Sequence, residues 1–226
     1  MRPPIIMNGE KIDWFHTVIR MLMYLAGVAV LALGMSLQTA SGLGVAALTC
    51  FATTLSMLTG KTLGFWITAT YVAYIVAQFT ILRREFQPRI LLELCFSTLI
   101  GGFTDFFMAV NPLHPAALPT QVETMLLSLA VTAFGVSLVV NMGVVPNAPD
   151  GLVQVIAEKI KRRFGDVKVV FDCSHVAVSL VLSLALMHNL GGFGVTTAIS
   201  ALFLGHVINV ANKLFAQRFI RAAFGK

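Results

Sequence analysis

Apolar residues along this chain occur in eight runs that are separated by short polar stretches. Six runs are about 20 residues long, which is the length at which an α-helix crosses about 30 Å of hydrocarbon. They cover residues 21–41, 63–82, 89–109, 121–141, 168–188 and 193–214. Two shorter runs, 45–59 and 149–164, follow the first and the fourth long ones. The pattern predicts an all-α polytopic membrane protein with six transmembrane helices and two short helices that are re-entrant or interfacial.

The order long, short, long, long occurs twice, which indicates an internal duplication. Gly34-Met35-Ser36-Leu37 returns 101 residues later as Gly135-Val136-Ser137-Leu138, and Gly42 returns as Gly143. In the last long run of each half, a Gly-x-x-x-Asp pattern ending at Asp105 is matched by Gly-x-x-x-Asn ending at Asn209. The predicted division of the chain is a cytoplasmic segment 1–20, a first membrane repeat 21–109, an extracytoplasmic loop 110–120, a second membrane repeat 121–216 and a cytoplasmic tail 217–226.

Charge determines how the two repeats face the membrane. Only 12% of the residues are charged against 57% that are apolar, and the net charge is +6. The basic residues lie at the ends of the apolar runs, which is typical of topology signals and excludes a nucleic-acid partner. If neither short segment crosses, fifteen of the sixteen basic residues are cytoplasmic and only Lys61 is outside. The fifteen are Arg2, Lys11, Arg20, Arg83, Arg84, Arg89, Lys159, Lys161, Arg162, Arg163, Lys168, Lys213, Arg218, Arg221 and Lys226.

The alternative, in which both short segments cross, places the basic cluster at 83–89 outside the cell. The positive-inside rule disfavours that arrangement. We therefore predict two inverted repeats of three transmembrane helices, with both termini in the cytoplasm. The segment 149–164 is amphipathic and is predicted to lie along the inner interface, with Asp150 complementing the dipole at its start. The segment 45–59 is predicted to be re-entrant or interfacial near the outer face.

Several motifs of the chain resemble those of a known family. They are Gly-Val-Val-Pro-Asn-Ala-Pro-Asp-Gly-Leu at 143–152, Gly-Gly-Phe-Gly-Val-Thr-Thr at 191–197, Gly-Leu-Gly-Val at 42–45 and Thr-Gly-Lys-Thr-Leu-Gly at 59–64. With these motifs the sequence resembles the YczE/YitT-like family of bacterial integral membrane proteins, and the resemblance covers nearly the whole chain. It implies a compact fold in the bacterial cytoplasmic (inner) membrane and no particular substrate.

Polar residues inside the apolar runs are the candidates for function, because ionisable groups are costly in a bilayer. Asp172 and His175 share one helix face, and their pair could exchange protons; a structural pairing of Asp172 with Lys168 is the alternative. In an inverted repeat, Asp105 and Asn209 would approach each other near the membrane centre. The candidate substrate-binding residues are Gln38, Ser41, Asp105, Asn141, Asn147, Asp150, His206 and Asn209. The candidate proton-coupling residues are Asp105, Asp172, His175 and His206.

These features together favour a secondary transporter of a small solute, proton-coupled or not, with a central site between the inverted repeats. A membrane-embedded enzyme or maturation factor acting on a lipid-soluble molecule, and a passive channel, are the alternatives. The sequence contains no catalytic set, no metal-ligand spacing and no cofactor motif, since Thr-Gly-Lys-Thr at 59–62 lacks the upstream glycine of a phosphate loop. The expected partners are the lipid bilayer and the solute, and assembly into a homo-oligomer is left open.

Overall fold

A computed structural model describes residues 14–83, 87–113, 115–145, 147–188 and 192–224, without the side chains of residues 88, 89, 202 and 224. In this part of the chain the secondary structure is entirely helical. The α-helices are α1 Trp14–Ser41, α2 Ala47–Thr59, α3 Leu63–Leu82, α4 Leu92–Val110, α5 Leu118–Met142, α6 Ala148–Lys159, α7 Phe164–Leu182 and α8 Val195–Phe224. A 3₁₀ turn, Pro88–Leu91, precedes α4, and a π-helical turn, Ser183–Met187, continues α7.

The helices follow the predicted apolar runs closely. Five of those described are long and apolar enough to cross a membrane, and α8 becomes a sixth if its two parts, which meet at an angle of 54°, count as one span. The prediction of an all-α membrane protein is therefore confirmed. Three helices depart from the predicted bounds. Helix α1 begins at Trp14 instead of residue 21, and α8 continues to Phe224 instead of ending at residue 214. The amphipathic helix ends at Lys159, and Phe164 begins α7 instead of closing α6. Most of the predicted segment 1–20, together with Arg84 and Lys226, lies outside the described residues.

The antiparallel pair of α1 and α5 forms the centre of the bundle and makes its most extensive helix contact. Near the start of α1, the Arg20 guanidinium donates hydrogen bonds to the carbonyls of Met142 and Gly143 at the end of α5, at 2.7 and 2.8 Å. Such bonds satisfy carbonyl groups that a helix end leaves without partners. Glycines at the crossing point let the two backbones touch, because a Cβ at Gly135 would lie 2.6 Å from the Leu31 nitrogen.

Helix α2 begins and ends at the same end of the bundle. The end of α1 contacts the end of α4, since the Asn111 side chain of the α4 C-cap donates to Ser36 Oγ at 3.3 Å. The start of α3 lies at that same level, because the Gly64 N–H donates to Asp105 Oδ1 on α4 at 2.7 Å. Helix α2 therefore does not cross from one end of the bundle to the other. Its buried face carries Cys50 and Thr54, which contact Ser179 of α7.

We call the other end of the bundle the basic end, because the described basic residues other than Lys61 lie on the segments that gather there. At this end α1, α4 and α7 begin, and α3, α5 and α8 end. Helix α6 also lies there, packed between α3 and α7. Its apolar face packs into the bundle, because Ala148, Leu152 and Val153 are fully or almost fully buried.

The packing of α3 on α4 differs from that of α7 on α8. Helices α3 and α4 are in close contact, and the Thr68 hydroxyl donates to the Ser97 carbonyl at 3.1 Å. In the described residues, α7 and α8 make no comparable contact, although each packs well on other helices. The space between α7 and α8 belongs to a cavity at the basic end.

Candidate functional site

A cavity of about 760 Å³ reaches from the basic end toward the middle of the bundle. Most of its wall is apolar; examples are Leu31, Phe96, Val139, Leu204 and Ile208. All helices of the described chain contribute to the wall. The volume lies within the range of pockets that hold small molecules, and an apolar wall with a few convergent polar groups is typical of them.

The N-termini of both short helices line this cavity. Ala46, Ala47 and Leu48 contribute the start of α2, and Asn147 and Asp150 contribute the start of α6. A helix N-terminus carries partial positive charge and free N–H groups, so each can face an electronegative group. The cavity wall therefore has two sites at which backbone N–H groups can act as hydrogen-bond donors.

Three charged side chains form a cluster on the cavity wall. Lys168 Nζ lies 2.9 Å from Asp150 Oδ1 and 3.3 Å from Asp172 Oδ1. The side chains are between 23% and 39% exposed, while the atoms Lys168 Nζ and Asp172 Oδ1 are themselves buried. Asp150 lies in the first turn of α6, as predicted, and its ion-pair partner is the ammonium of Lys168 on α7. One cation thus holds two carboxylates and ties α6 to α7.

A second polar pair lies deeper in the wall. Gln78 Nε2 of α3 donates to Glu93 Oε2 of α4 at 2.7 Å, and both residues are 1% exposed. Gln78 Nε2 also lies 3.4 Å from the carbonyl of Ala148, at the start of α6. Helix α6 approaches this pair closely, since a Cβ at Gly151 would lie 2.7 Å from Glu93 Oε1. Neither residue is among the candidate site residues of the sequence analysis, although each is a polar group inside an apolar run.

His175 pairs with Tyr74 and not with Asp172. The Tyr74 hydroxyl is hydrogen-bonded to His175 Nε2, and His175 Nδ1 lies 2.7 Å from the carbonyl of Phe171. A carbonyl can only accept, so Nδ1 is the donor in that bond, and the Tyr74 hydroxyl is the partner of Nε2. The rings of Phe51 and Phe171 also contact the imidazole. The spacing of Asp172 and His175 therefore produces two separate interactions.

Four other predicted residues make structural hydrogen bonds outside the cavity wall. Gln38 accepts from the Ala46 N–H at 3.1 Å, which places its Oε1 at the start of α2, and the Ser41 hydroxyl donates to the Gln38 carbonyl at 2.7 Å. Asp105 is held by the Gly64 N–H of α3. Asn141 donates to Asn212 of α8 at 2.8 Å. Both bonds to backbone N–H groups satisfy the start of a helix.

The predicted residues of α8 lie outside the cavity wall. The side chains of His206 and Asn209 are exposed, while Asn212, three residues further along, bonds to α5. The structure therefore does not bring Asp105 and Asn209 together. Of the sequence-predicted residues, Asn147, Asp150 and Asp172 line the cavity.

Comparison with known proteins gives a family and one relative without assigned biochemistry. A family described as "Family of unknown function (DUF6198)" matches residues 18–213. The uncharacterized membrane protein YczE of Bacillus subtilis (strain 168) is 31% identical over 148 residues, which are 63% of this chain and 65% of that protein. The alignment thus covers slightly less than two thirds of the relative. No solved structure matches. The resemblance that the sequence motifs indicate is confirmed.

Proposed function

The chain belongs to the family of unknown function DUF6198, and we propose that it is a secondary transporter that moves a small solute across the bacterial inner membrane. The observation that carries the proposal is the cavity of about 760 Å³ at the basic end, with its apolar wall and its cluster of Asp150, Lys168 and Asp172. By the positive-inside rule this end faces the cytoplasm. The solute would bind between the N-termini of α2 and α6.

Matched contacts support an inverted repeat. Ser36 bonds to Asn111, and Ser137 bonds to Asn212, so both partners are shifted by 101 residues. A Cβ at Gly34 would meet Thr132, and one at Gly135 would meet Leu31, which is the reciprocal contact at the same shift. Such reciprocity is the signature of a two-fold relation between two similar units.

The pair of Tyr74 and His175 fits the same relation, because the two residues are themselves 101 positions apart. Equivalent residues of two related units can touch only at the axis that relates them. The pseudo-two-fold axis would therefore pass between α3 and α7 at this hydrogen bond and between α1 and α5 at the glycine crossing. At this shift Asp105 corresponds to His206 and not to Asn209, which the motif alignment had matched to it.

The difference between the two repeats supports alternating access. Helices α3 and α4 are closed on each other, whereas their counterparts α7 and α8 are apart and line the open cavity. If the repeats exchanged these conformations, α7 would close on α8 and α3 would separate from α4. The cavity would then open at the opposite end. Exchange of conformations between inverted repeats is how many secondary transporters move a central site from one side to the other.

The proposal is tested by thiol accessibility in a background in which Cys50, Cys95 and Cys173 are replaced. We compare Ala201→Cys, on the cavity wall of α8, with Ile100→Cys, its counterpart on α4, which is 0% exposed. In the described conformation, a membrane-impermeant thiol reagent should label Ala201→Cys from the cytoplasmic side only. Ile100→Cys should stay unlabelled.

A cross-link should reverse this pattern. Gly165→Cys with His206→Cys is the counterpart of the closed contact between Gly64 and Asp105. Cross-linking this pair is expected to protect Ala201→Cys and to expose Ile100→Cys to reagent from outside. A passive channel would show labelling of one site from both sides, and an enzyme would show no reversal. Either result would contradict the transporter proposal.

A further inference from the structure

Glu93 is a carboxyl group buried in the wall of the proposed transport cavity. It lies in the first turn of α4, is 1% exposed and lines the cavity beside α6. Its described side-chain partner is the amide of Gln78, which donates to Oε2 at 2.7 Å. An ionised carboxylate without a cation is costly in such a place, since burial removes its hydration. A buried carboxyl group of this kind is therefore a candidate functional residue.

In the part of the chain that the structure describes, the charged and titratable groups around Glu93 do not neutralise it. Helix α1 presents Tyr24 and helix α6 presents Asp150, and neither is a cation. The cation of the charged cluster, Lys168 of α7, is bound between two aspartates. Among the described side chains, none forms an ion pair with Glu93. A neutral carboxylic acid suits this site better than a carboxylate, because a single amide partner is then sufficient.

Helix α6 controls the access of water to Glu93. Gly151 has no side chain where a Cβ would lie 2.7 Å from Glu93 Oε1 and 3.2 Å from Gln78 Nε2, so the α6 backbone lies directly on the pair. Helix α6 is also tied to α7 by the Asp150–Lys168 ion pair. In the proposed exchange of conformations, movement of α7 toward α8 would pull α6 with it and would change the cover over Glu93.

We propose that Glu93 is the proton-binding group that couples transport to the proton gradient. This proposal rests on the proposed transporter function. Glu93 holds a proton on one carboxyl oxygen while α6 covers it. When α6 moves away, that O–H bond breaks, the proton passes to cavity water, and the carboxylate left behind is stabilised by hydration. The cycle needs no other reactant.

Infrared difference spectroscopy on the purified protein in lipid, between two pH values, measures this proton directly. On acidification, the C=O stretch of a protonated carboxylic acid should appear in the wild type and in Glu158→Gln, an exposed carboxyl on the same cavity. The band should be absent in Glu93→Gln. If Glu93→Gln does not fold, Glu93→Asp should shift the band. An unchanged band in a folded Glu93 variant overturns the assignment, and so does a band that follows the Na⁺ concentration rather than pH.

The accessibility test distinguishes failure of this proposal from failure of the transporter function. In the cysteine-replaced background with Glu93 intact, a change of pH should change the relative labelling of Ala201→Cys and Ile100→Cys. Glu93→Gln should remove this pH dependence of the labelling. If labelling alternates but keeps its pH dependence in Glu93→Gln, the coupling role is wrong and the transporter remains. If labelling never alternates, the transporter proposal fails whatever the infrared band shows.

Discussion

Gly135→Ala is expected to destabilise the bundle. Among the helical glycines of the α1–α5 contact, this is the position where substitution by alanine should have the largest effect. The new Cβ would lie 2.6 Å from the Leu31 nitrogen and 2.8 Å from its Cα, and these are backbone atoms that cannot rotate away. The helices must separate, which costs about 1–3 kcal/mol for an overpacked core. Thermal unfolding of the purified protein in detergent should show a Tm that falls by several degrees.

The matched control is Gly102→Ala on α4, where a Cβ meets nothing within 4 Å. Alanine also has the higher helix propensity, so this variant should be as stable as the wild type or slightly more stable. Gly34→Ala, the counterpart of Gly135 in the first half, places its Cβ 2.8 Å from the Thr132 nitrogen and should lower Tm by a similar amount. Equal Tm values for Gly135→Ala and Gly102→Ala would show that α1 and α5 do not pack at these glycines.

Lys168→Met is expected to have the second large effect, because it leaves Asp150 and Asp172 without their shared cation. Removing one partner of a fully buried ion pair costs about 3–5 kcal/mol. These side chains are 23–39% exposed, so we expect about 2 kcal/mol, with water taking up part of the loss. The Tm should fall, and alternation of the cavity should be impaired because α6 is no longer tied to α7.

A rescue experiment separates the ion cluster from a mere packing effect. Adding Asp150→Asn to Lys168→Met removes one of the two stranded charges, so the double variant should be more stable than Lys168→Met alone. Lys213→Met, at an exposed lysine of α8, serves as the control and should keep the wild-type Tm. If Asp150→Asn and Lys168→Met add independently, the cluster does not contribute as a unit.

The membrane helices were predictable because the hydrophobicity of a span is a sum over neighbouring residues. The runs at 63–82 and 89–109 correspond to α3 and α4 within a few residues. The basic residues at the ends of the runs and the repeated glycine motifs can also be recognised from short stretches of neighbouring residues. The amphipathic run at 149–164 was predicted too long, since its apolar residues from Ile160 onward continue the helical spacing although the chain turns after Lys159.

The partners of the polar residues were not predictable in the same way. Asp172 and His175 share one helix face by their spacing. Asp172 is nevertheless ion-paired with a neighbouring ammonium, whereas His175 is hydrogen-bonded to a tyrosine of α3. Glu93 has no distinctive motif, and its burial depends on the glycine of α6 that lies over it. Such choices depend on how each helix is rotated and how deeply it is inserted.

The sequence by itself determined that this is an all-helical membrane protein of the DUF6198 family, where its helices lie, and which end is basic. Only the tertiary structure decided that α3 closes on α4 while α7 stands apart from α8, and that a cavity with Glu93, Asp150, Lys168 and Asp172 on its wall results. The physical reason is that insertion into the membrane depends on local apolarity. Contacts between helices depend instead on the shapes and charges of residues that are 15 to 129 positions apart.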